Sequence, residues 1–197
     1  MIFLKYRSII LVRYAYPRGI SFSGKAEGGK RMAGLLAFFS RGDENYVNGE
    51  LKMLETGNTE AAAGIIQKLT GADSFKIEPR QPYSKDYNEC VAQAQADQRR
   101  DARPELTAYP ESLEPYDVIY LGYPNYWGTM PMAVFTFLEH FDFTGKTIKP
   151  FCTHEGSGLG SSVADIRRLC PQAAVEAGLA IRGSSVSAAE KDIAEWV

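Results

Sequence analysis

Cysteine is scarce in this sequence: Cys90, Cys152 and Cys170 are three in 197 residues, an odd count with no C-x-x-C pair. That pattern fits neither a disulfide framework nor a zinc site, and the expectation is a reducing, cytoplasmic setting. Long apolar runs are missing too. Near the start, the longest covers residues 8–12 and stops at Arg13. It falls far short of the roughly 20 residues of a membrane span or the about 7 to 15 of a signal-peptide core, so neither insertion nor secretion is expected. Positive charge is not in excess: 22 Lys and Arg face 24 Asp and Glu, a net of −2. The chain as a whole lacks the electrostatic footprint of a nucleic-acid binder. What remains is ordinary, 45% apolar and 23% charged, which argues for one compact domain and against disorder, collagen-like repeats and coiled coil.

The charge is unevenly distributed. Residues 1–31 carry seven basic groups and one acid, net +6, which leaves −8 for residues 32–197. The segment reads as a basic extension ahead of a single domain spanning 32–197. Within it, residues 24–30 satisfy G-x-x-x-x-G-K, the pattern of a phosphate-cradling loop. The next residue is Arg31 where a Ser or Thr is needed for magnesium, and the sequence beyond is strand-like rather than helical, so the match reads as coincidence. Glu27-Gly28-Gly29 can be encoded by a purine-rich GGAGG tract just ahead of the Met32 codon. Two readings stand: translation beginning at Met32, or a native arm.

From Met32 onward, strand and helix patterns alternate. Residues 35–39 form a short continuous apolar run of the kind buried on both faces of a parallel sheet, and a turn-rich stretch follows Ser40. Asn58 or Thr59 is placed to cap a helix with Ala62, Ile65, Ile66 and Leu69 on one face, closed by Gly71. Further strands are expected at 75–78, 116–122, 146–153 and 175–181. Between the second and third, residues 83–103 read as a loop and a polar surface helix with Tyr87, Cys90, Val91 and Ala94 on one side, serving as cover. Pro131 starts another helix, Val163, Ile166 and Leu169 face inward from the next, and Ser187-Ala188-Ala189-Glu190 reads as a capping box for the last. Five strands joined by helices imply an α/β doubly wound parallel sheet with helices on both faces. Ligands then belong beyond the carboxyl ends of strands one, three and four.

Three loops stand at those positions. After strand one come Ser40 and, beyond residues 41–55, Thr56-Gly57-Asn58-Thr59; hydroxyls, a glycine and free helix N–H groups make a phosphate nest, or simply a helix cap. After strand three, Pro124-Asn125-Tyr126-Trp127-Gly128 puts two aromatics on a loop, where they stack on a planar ligand or pack beneath the loop. After strand four, Thr153-His154-Glu155-Gly156-Ser157-Gly158 is rich enough in glycine to bring backbone N–H groups to a heteroatom-rich ring edge. His154 is either a proton donor or a hydrogen-bonding surface residue, and Cys152 is better read as a small strand-end filler than as a nucleophile. No catalytic residue and no metal ligand set is singled out.

A nest, an aromatic platform and a backbone cradle in that order resemble the flavodoxin-like family over nearly all of residues 33–197. The resemblance implies strand order 2-1-3-4-5 and FMN as cofactor. By likeness, Ser40, Thr56, Gly57, Asn58 and Thr59 hold the phosphate, Pro124, Asn125, Tyr126, Trp127 and Gly128 flank the isoalloxazine, and Thr153, His154, Glu155, Gly156, Ser157 and Gly158 bind its pyrimidine edge. The insertion at 41–55 departs from the family pattern. It makes Ser40 the weakest ligand assignment, and with Tyr46, Leu51, Met53 and Leu54 it forms either a lid or a surface hairpin. The fifth strand lacks a long insertion, like the short-chain type. The implied function is a low-potential one-electron carrier, monomeric or weakly dimeric, whose acidic charge steers it to a reductase and an electron acceptor. The alternatives are an NAD(P)H-dependent quinone or azo reductase and a non-redox binding module.

Overall fold

The structure, a computed structural model, describes residues 33–197. The basic segment 1–31, its G-x-x-x-x-G-K stretch and the Met32 start lie outside the described residues.

The central sheet grows from β1 (Gly34–Phe38), β4 (Asp73–Lys76), β5 (Val118–Pro124) and β6 (Thr147–His154), with β7 (Ala174–Val175) and β8 (Leu179–Arg182) sharing one edge of β6. Every pairing in it is parallel, in the order β4-β1-β5-β6 and then β7 and β8. Counting β7 and β8 as one strand gives the expected order 2-1-3-4-5. The inserted residues form a separate antiparallel hairpin, β2 (Asp43–Val47) and β3 (Glu50–Leu54). Asn48 (φ 50°) and Gly49 (φ 94°) make its turn, the left-handed pair that a tight two-residue hairpin requires.

Side-chain alternation sends each strand's residues to two cores. Leu35, Ala37, Ile119, Leu121, Tyr123 and Ile148 pack under α3 (Met132–His140) and α4 (Ser162–Leu169), where they meet Ala133, Phe137 and Ile166. Leu36, Phe38, Phe151 and Ile181 pack under α1 (Asn58–Thr70) and α5 (Glu190–Trp196), against Ala62, Ile66 and Ile193. Each large side chain buried in this way stabilises the fold by about 1.5 to 3 kcal/mol. The ring of Phe151 lies directly over Gly122, where a Cβ would stand 2.1 Å from its Cζ. Helix α2 (Tyr87–Arg99) starts on the Asp86 carboxylate, which accepts the Glu89 N–H at 2.9 Å.

Several local expectations are corrected. The strand expected at 175–181 is broken into two, because Pro150 sits opposite its middle. Thr147 N donates to Asp117 O on the β5 side, whereas Ile148 O accepts Glu176 N on the other. Alternation therefore turns the Pro150 nitrogen toward the fifth strand, where it has no hydrogen to give. One extra residue bulges there, with Gly178 at φ 87°. Helix α1 takes Gly57 as its N-cap, with neither Asn58 nor Thr59 in that position, and ends as expected on a left-handed Gly71 at φ 68°. The capping box at Ser187 does not form: residues Gly183–Ala188 wind into a 3-10 turn that runs into α5, so Ser187 has turn geometry and Ala189 stands at the N-cap.

Candidate functional site

The parallel strands bring their carboxyl ends to one edge of the sheet, and three loops meet there. The first is reassembled across the insertion. A Cβ on Gly57 would lie 2.3 Å from Arg41 O and 2.4 Å from Ser40 Oγ, and one on Gly42 would lie 2.9 Å from Leu54 O. These close crossings make a neck from which residues 41–55 loop out as the β2–β3 hairpin. Ser40 is thereby returned to Thr56-Gly57-Asn58-Thr59 as though the chain were continuous. Its Oγ accepts the Glu60 N–H at 3.1 Å, doing for α1 what the glycine N-cap cannot. The Ser40 hydroxyl hydrogen and the N–H groups of Asn58 and Thr59, which have no carbonyl partner inside the helix, are left for a ligand.

The second and third loops are tied to each other. Asn125 donates from its backbone to Thr153 O at 2.8 Å and from Nδ2 to Gly158 O at 2.9 Å, while its Oδ1 accepts the Gly128 N–H at 3.0 Å. Tyr126 and Thr129 exchange backbone hydrogen bonds around Trp127 (φ 51°) and Gly128 (φ 84°). A tryptophan in the left-handed region is a strained backbone, and such strain marks functional loops. Its indole Nε1–H donates to Val91 O at 2.9 Å, and the residue is 48% exposed. Tyr126 points down instead, edge to face with Phe39 and Tyr83, its hydroxyl 3.6 Å from Cys90 Sγ. Of the two aromatics expected as a platform, Trp127 stands at the mouth and Tyr126 forms the floor.

These loops border a cavity of about 610 Å³. Its lining includes Ser40, Asn58 and Thr59 from the first loop, Pro124, Asn125, Tyr126, Trp127 and Gly128 from the second, and Thr153, His154, Glu155, Gly156 and Ser157 from the third. Thr56, Gly57 and Gly158 stand outside the lining. Thr56 is exposed and Gly57 is buried in the neck, while the Gly158 carbonyl accepts from Asn125. Thr59 and Thr153 reach the cavity as a buried pair, Oγ1 to Oγ1 2.7 Å. The Glu155 carboxylate is already engaged: Oε1 accepts Ser184 N at 2.6 Å, Oε2 accepts Asn48 N at 3.2 Å, and Arg182 Nε lies 3.7 Å away.

Two further walls complete the cavity; sequence reasoning gave the insertion, Tyr46 included, as either a lid or a surface hairpin, and missed α2 as a wall. The hairpin contributes Arg41, Asn45 and Tyr46, and α2 contributes Tyr87, Cys90, Val91 and Ala94. The signal for the second was present, since an apolar stripe on a polar helix must face something; the stripe faces the cavity. Arg41 donates to the carbonyls of Ser84, Lys85 and Glu44, and its buried Nε has no hydrogen-bond partner.

Protonation follows from burial. Desolvation pushes the Cys152 thiol up to about 12, so it is a neutral filler at the strand end, as expected. Burial also lifts the Tyr126 hydroxyl well above its ordinary range, with Cys90 adding to the effect and Arg41 opposing it. His154 is lowered, chiefly by desolvation and further by Arg182, against Glu155. Its Nδ1 accepts the Gly156 N–H at 2.9 Å, so the neutral ring carries its proton on Nε2 and holds the third loop in shape.

Comparison with known proteins places the chain. A family model described as flavodoxin matches residues 53–197. The chain belongs to the flavodoxin family. The match begins at Met53, within β3 of the inserted hairpin. A solved structure from Bacteroides eggerthii, assigned as a flavoprotein, is 28% identical; 82% of this chain covers 98% of that one with a TM-score of 0.63. One from Bacteroides uniformis is 25% identical, with 85% of this chain on 98% of that one and a TM-score of 0.67. A Lactobacillus acidophilus flavoprotein in complex with FMN, 17% identical over 80% of this chain and 97% of that one, shares the fold at a TM-score of 0.57. No curated protein matches. Among the described residues, no helix is long and apolar enough to cross a membrane.

Proposed function

We propose that this flavodoxin-family chain binds FMN in the 610 Å³ cavity and works as a one-electron carrier. The observation that carries the reading is the reassembled first loop, an open α1 N-terminus with Ser40 beside it, facing an aromatic loop across one cavity. The donor chemistry fits a phosphorylated planar group. The Ser40 hydroxyl and the N–H groups of Asn58 and Thr59 would hold the phosphate, with Thr56 and Gly57 shaping the turn. Tyr126 and Trp127 would flank the ring, between Pro124-Asn125 and Gly128. The backbone from Thr153 through Ser157 would meet its polar edge, since Gly156 (φ 151°) and Gly158 (φ 61°) have open space where a Cβ would be. When bound, FMN supplies one- and two-electron redox chemistry. The protein's own part is to orient the ring, shield one face with the Tyr126 floor, and leave Trp127 at the mouth. The net −8 of residues 32–197 steers such a carrier toward basic partners in a salt-dependent manner.

One observation favours a second reading. The walls from α2 and the hairpin extend the cavity past the three loops, giving room for a small organic acceptor, as an NAD(P)H-dependent quinone or azo reductase needs. Titration of the apoprotein with FMN, followed by stepwise photoreduction, separates the readings. Reduction in two resolved one-electron steps is the result expected of a carrier. A single two-electron step would transfer the assignment to the reductase, and no binding at micromolar FMN would remove both. Trp127→Ala is expected to weaken FMN binding about tenfold, the scale of one aromatic contact; unchanged affinity would remove Trp127 from the ring site.

A further inference from the structure

The inserted hairpin stands across the cavity. Its neck is closed at Gly57 and Gly42, and no main-sheet strand pairs with it. Away from the neck it is held on two sides. Toward α2, Glu44 N donates to Lys85 O at 3.2 Å, the Glu44 carboxylate accepts the Tyr87 N–H at 3.0 Å, and the Tyr46 ring stacks on Tyr87 with centroids 6.2 Å apart. At the tip, Asn48 N donates to Glu155 on the loop after β6. Tyr87 and Glu155 both line the cavity, and they come from separate elements. A two-stranded ribbon fixed to both crosses over the space between them.

The two attachments differ in kind. The α2 side combines a ring stack, a carboxylate and a backbone bond, and the neck beside it is locked by atoms in van der Waals contact. The tip depends on one carboxylate. Glu155 is largely buried, its side chain 14% exposed, and its other partners are Arg182, the last residue of β8, and Ser184 N just beyond it. These partners hold the carboxylate in place whether or not the hairpin is docked. An isolated two-stranded hairpin is marginal in water by itself, so the tip is where the ribbon opens first.

From this arrangement we propose that the β2–β3 hairpin is a strap across the cofactor site, that Glu155 is its latch, and that FMN enters and leaves by release of the Asn48 tip. Glu155 is thus a positioning residue that acts on the cofactor through the hairpin. The proposal rests on the FMN reading above. It also explains why a carboxylate sits in a site that would hold an anionic cofactor: its two oxygens are occupied by backbone N–H groups.

The test compares the full chain with Glu155→Gln and Glu155→Ala, and with Arg182→Gln as the control that removes the cation 3.7 Å from the latch oxygen but leaves both backbone hydrogen bonds to the carboxylate in place. Amide hydrogen exchange without FMN reads the latch. Exchange across residues 44–53 is expected to rise about tenfold in Glu155→Ala, less in Glu155→Gln, and to stay unchanged in Arg182→Gln, the scale of one charge-assisted hydrogen bond. The FMN dissociation rate, followed by recovery of flavin fluorescence on dilution, reads the strap and is expected to rise in the same order. Unchanged hairpin exchange in Glu155→Ala overturns the latch. Faster exchange with an unchanged dissociation rate overturns the strap, as does an equal effect in Arg182→Gln. If the wild-type chain binds no FMN, the functional reading fails and the strap's role with it, while hydrogen exchange still decides whether Glu155 holds the hairpin.

Discussion

Two residues of this chain tie backbone geometry to consequence most directly. Gly122 exists because Phe151 crosses it: with a Cβ 2.1 Å from the ring carbon, the ring or β5 must move. Gly122→Ala is expected to destabilise the fold by about 3 kcal/mol, the upper end of overpacking costs, as measured by urea unfolding. His154 is the second. Its Nδ1 must be unprotonated to accept the Gly156 N–H, and burial holds its pKa below the ordinary value. A base lowered in the folded state contributes fully above its unfolded pKa, about 6.5, and loses that contribution as pH falls through the folded value. Stability toward urea is therefore expected to be level above about pH 6.5 and to fall in acid below it. In His154→Asn, which keeps an acceptor and does not titrate, the curve is expected to be flatter; an identical acid drop in that variant would place the titration elsewhere.

Among the elements, α1 has an N-terminus completed from a distant part of the chain. Ser40, twenty positions before Glu60, supplies the cap that Gly57 lacks, and the neck that brings it there is built of glycines with no room for a side chain. Ser40→Ala is expected to lower stability by about 1 kcal/mol, the usual value of a helix cap, and to speed exchange of the Glu60 amide. If the loss is confined to FMN affinity with no change in stability, Ser40 acts as a ligand alone. The split of the fifth strand is a second element-scale effect. A proline in β6 denies one ladder bond, and the partner strand bulges at Gly178 instead of pairing through.

At the scale of the molecule, the acidic balance of residues 32–197 makes a prediction of its own. Association of the FMN-loaded protein with a basic reductase is expected to slow by about tenfold between low and physiological salt, as stopped-flow electron transfer would register, because screening shortens the reach of opposite charges. The order of elements was legible in the sequence because buried parallel strands read as apolar runs such as Leu35-Leu36-Ala37-Phe38, and loops at their carboxyl ends read as Gly, Ser and aromatic clusters. Most of the residues named from those clusters do line one cavity, since the parallel topology leaves them no other place. What pattern alone did not reveal depends on pairs far apart in the chain. No local period says that Pro150 will split its neighbour or that Ser40 will cap a helix beyond an insertion. Nor does it say that Glu155 will hold a hairpin tip more than a hundred residues away, or that Tyr87, Cys90, Val91 and Ala94 will wall the site. Sequence pattern by itself established the α/β class and the three site loops, because each rests on burial and turn chemistry within a few residues, while the strand order came with the family resemblance. The walls, the reassembled first loop and the duties of individual side chains were decided only in the tertiary structure, where partners from separate elements compete for the same polar atoms.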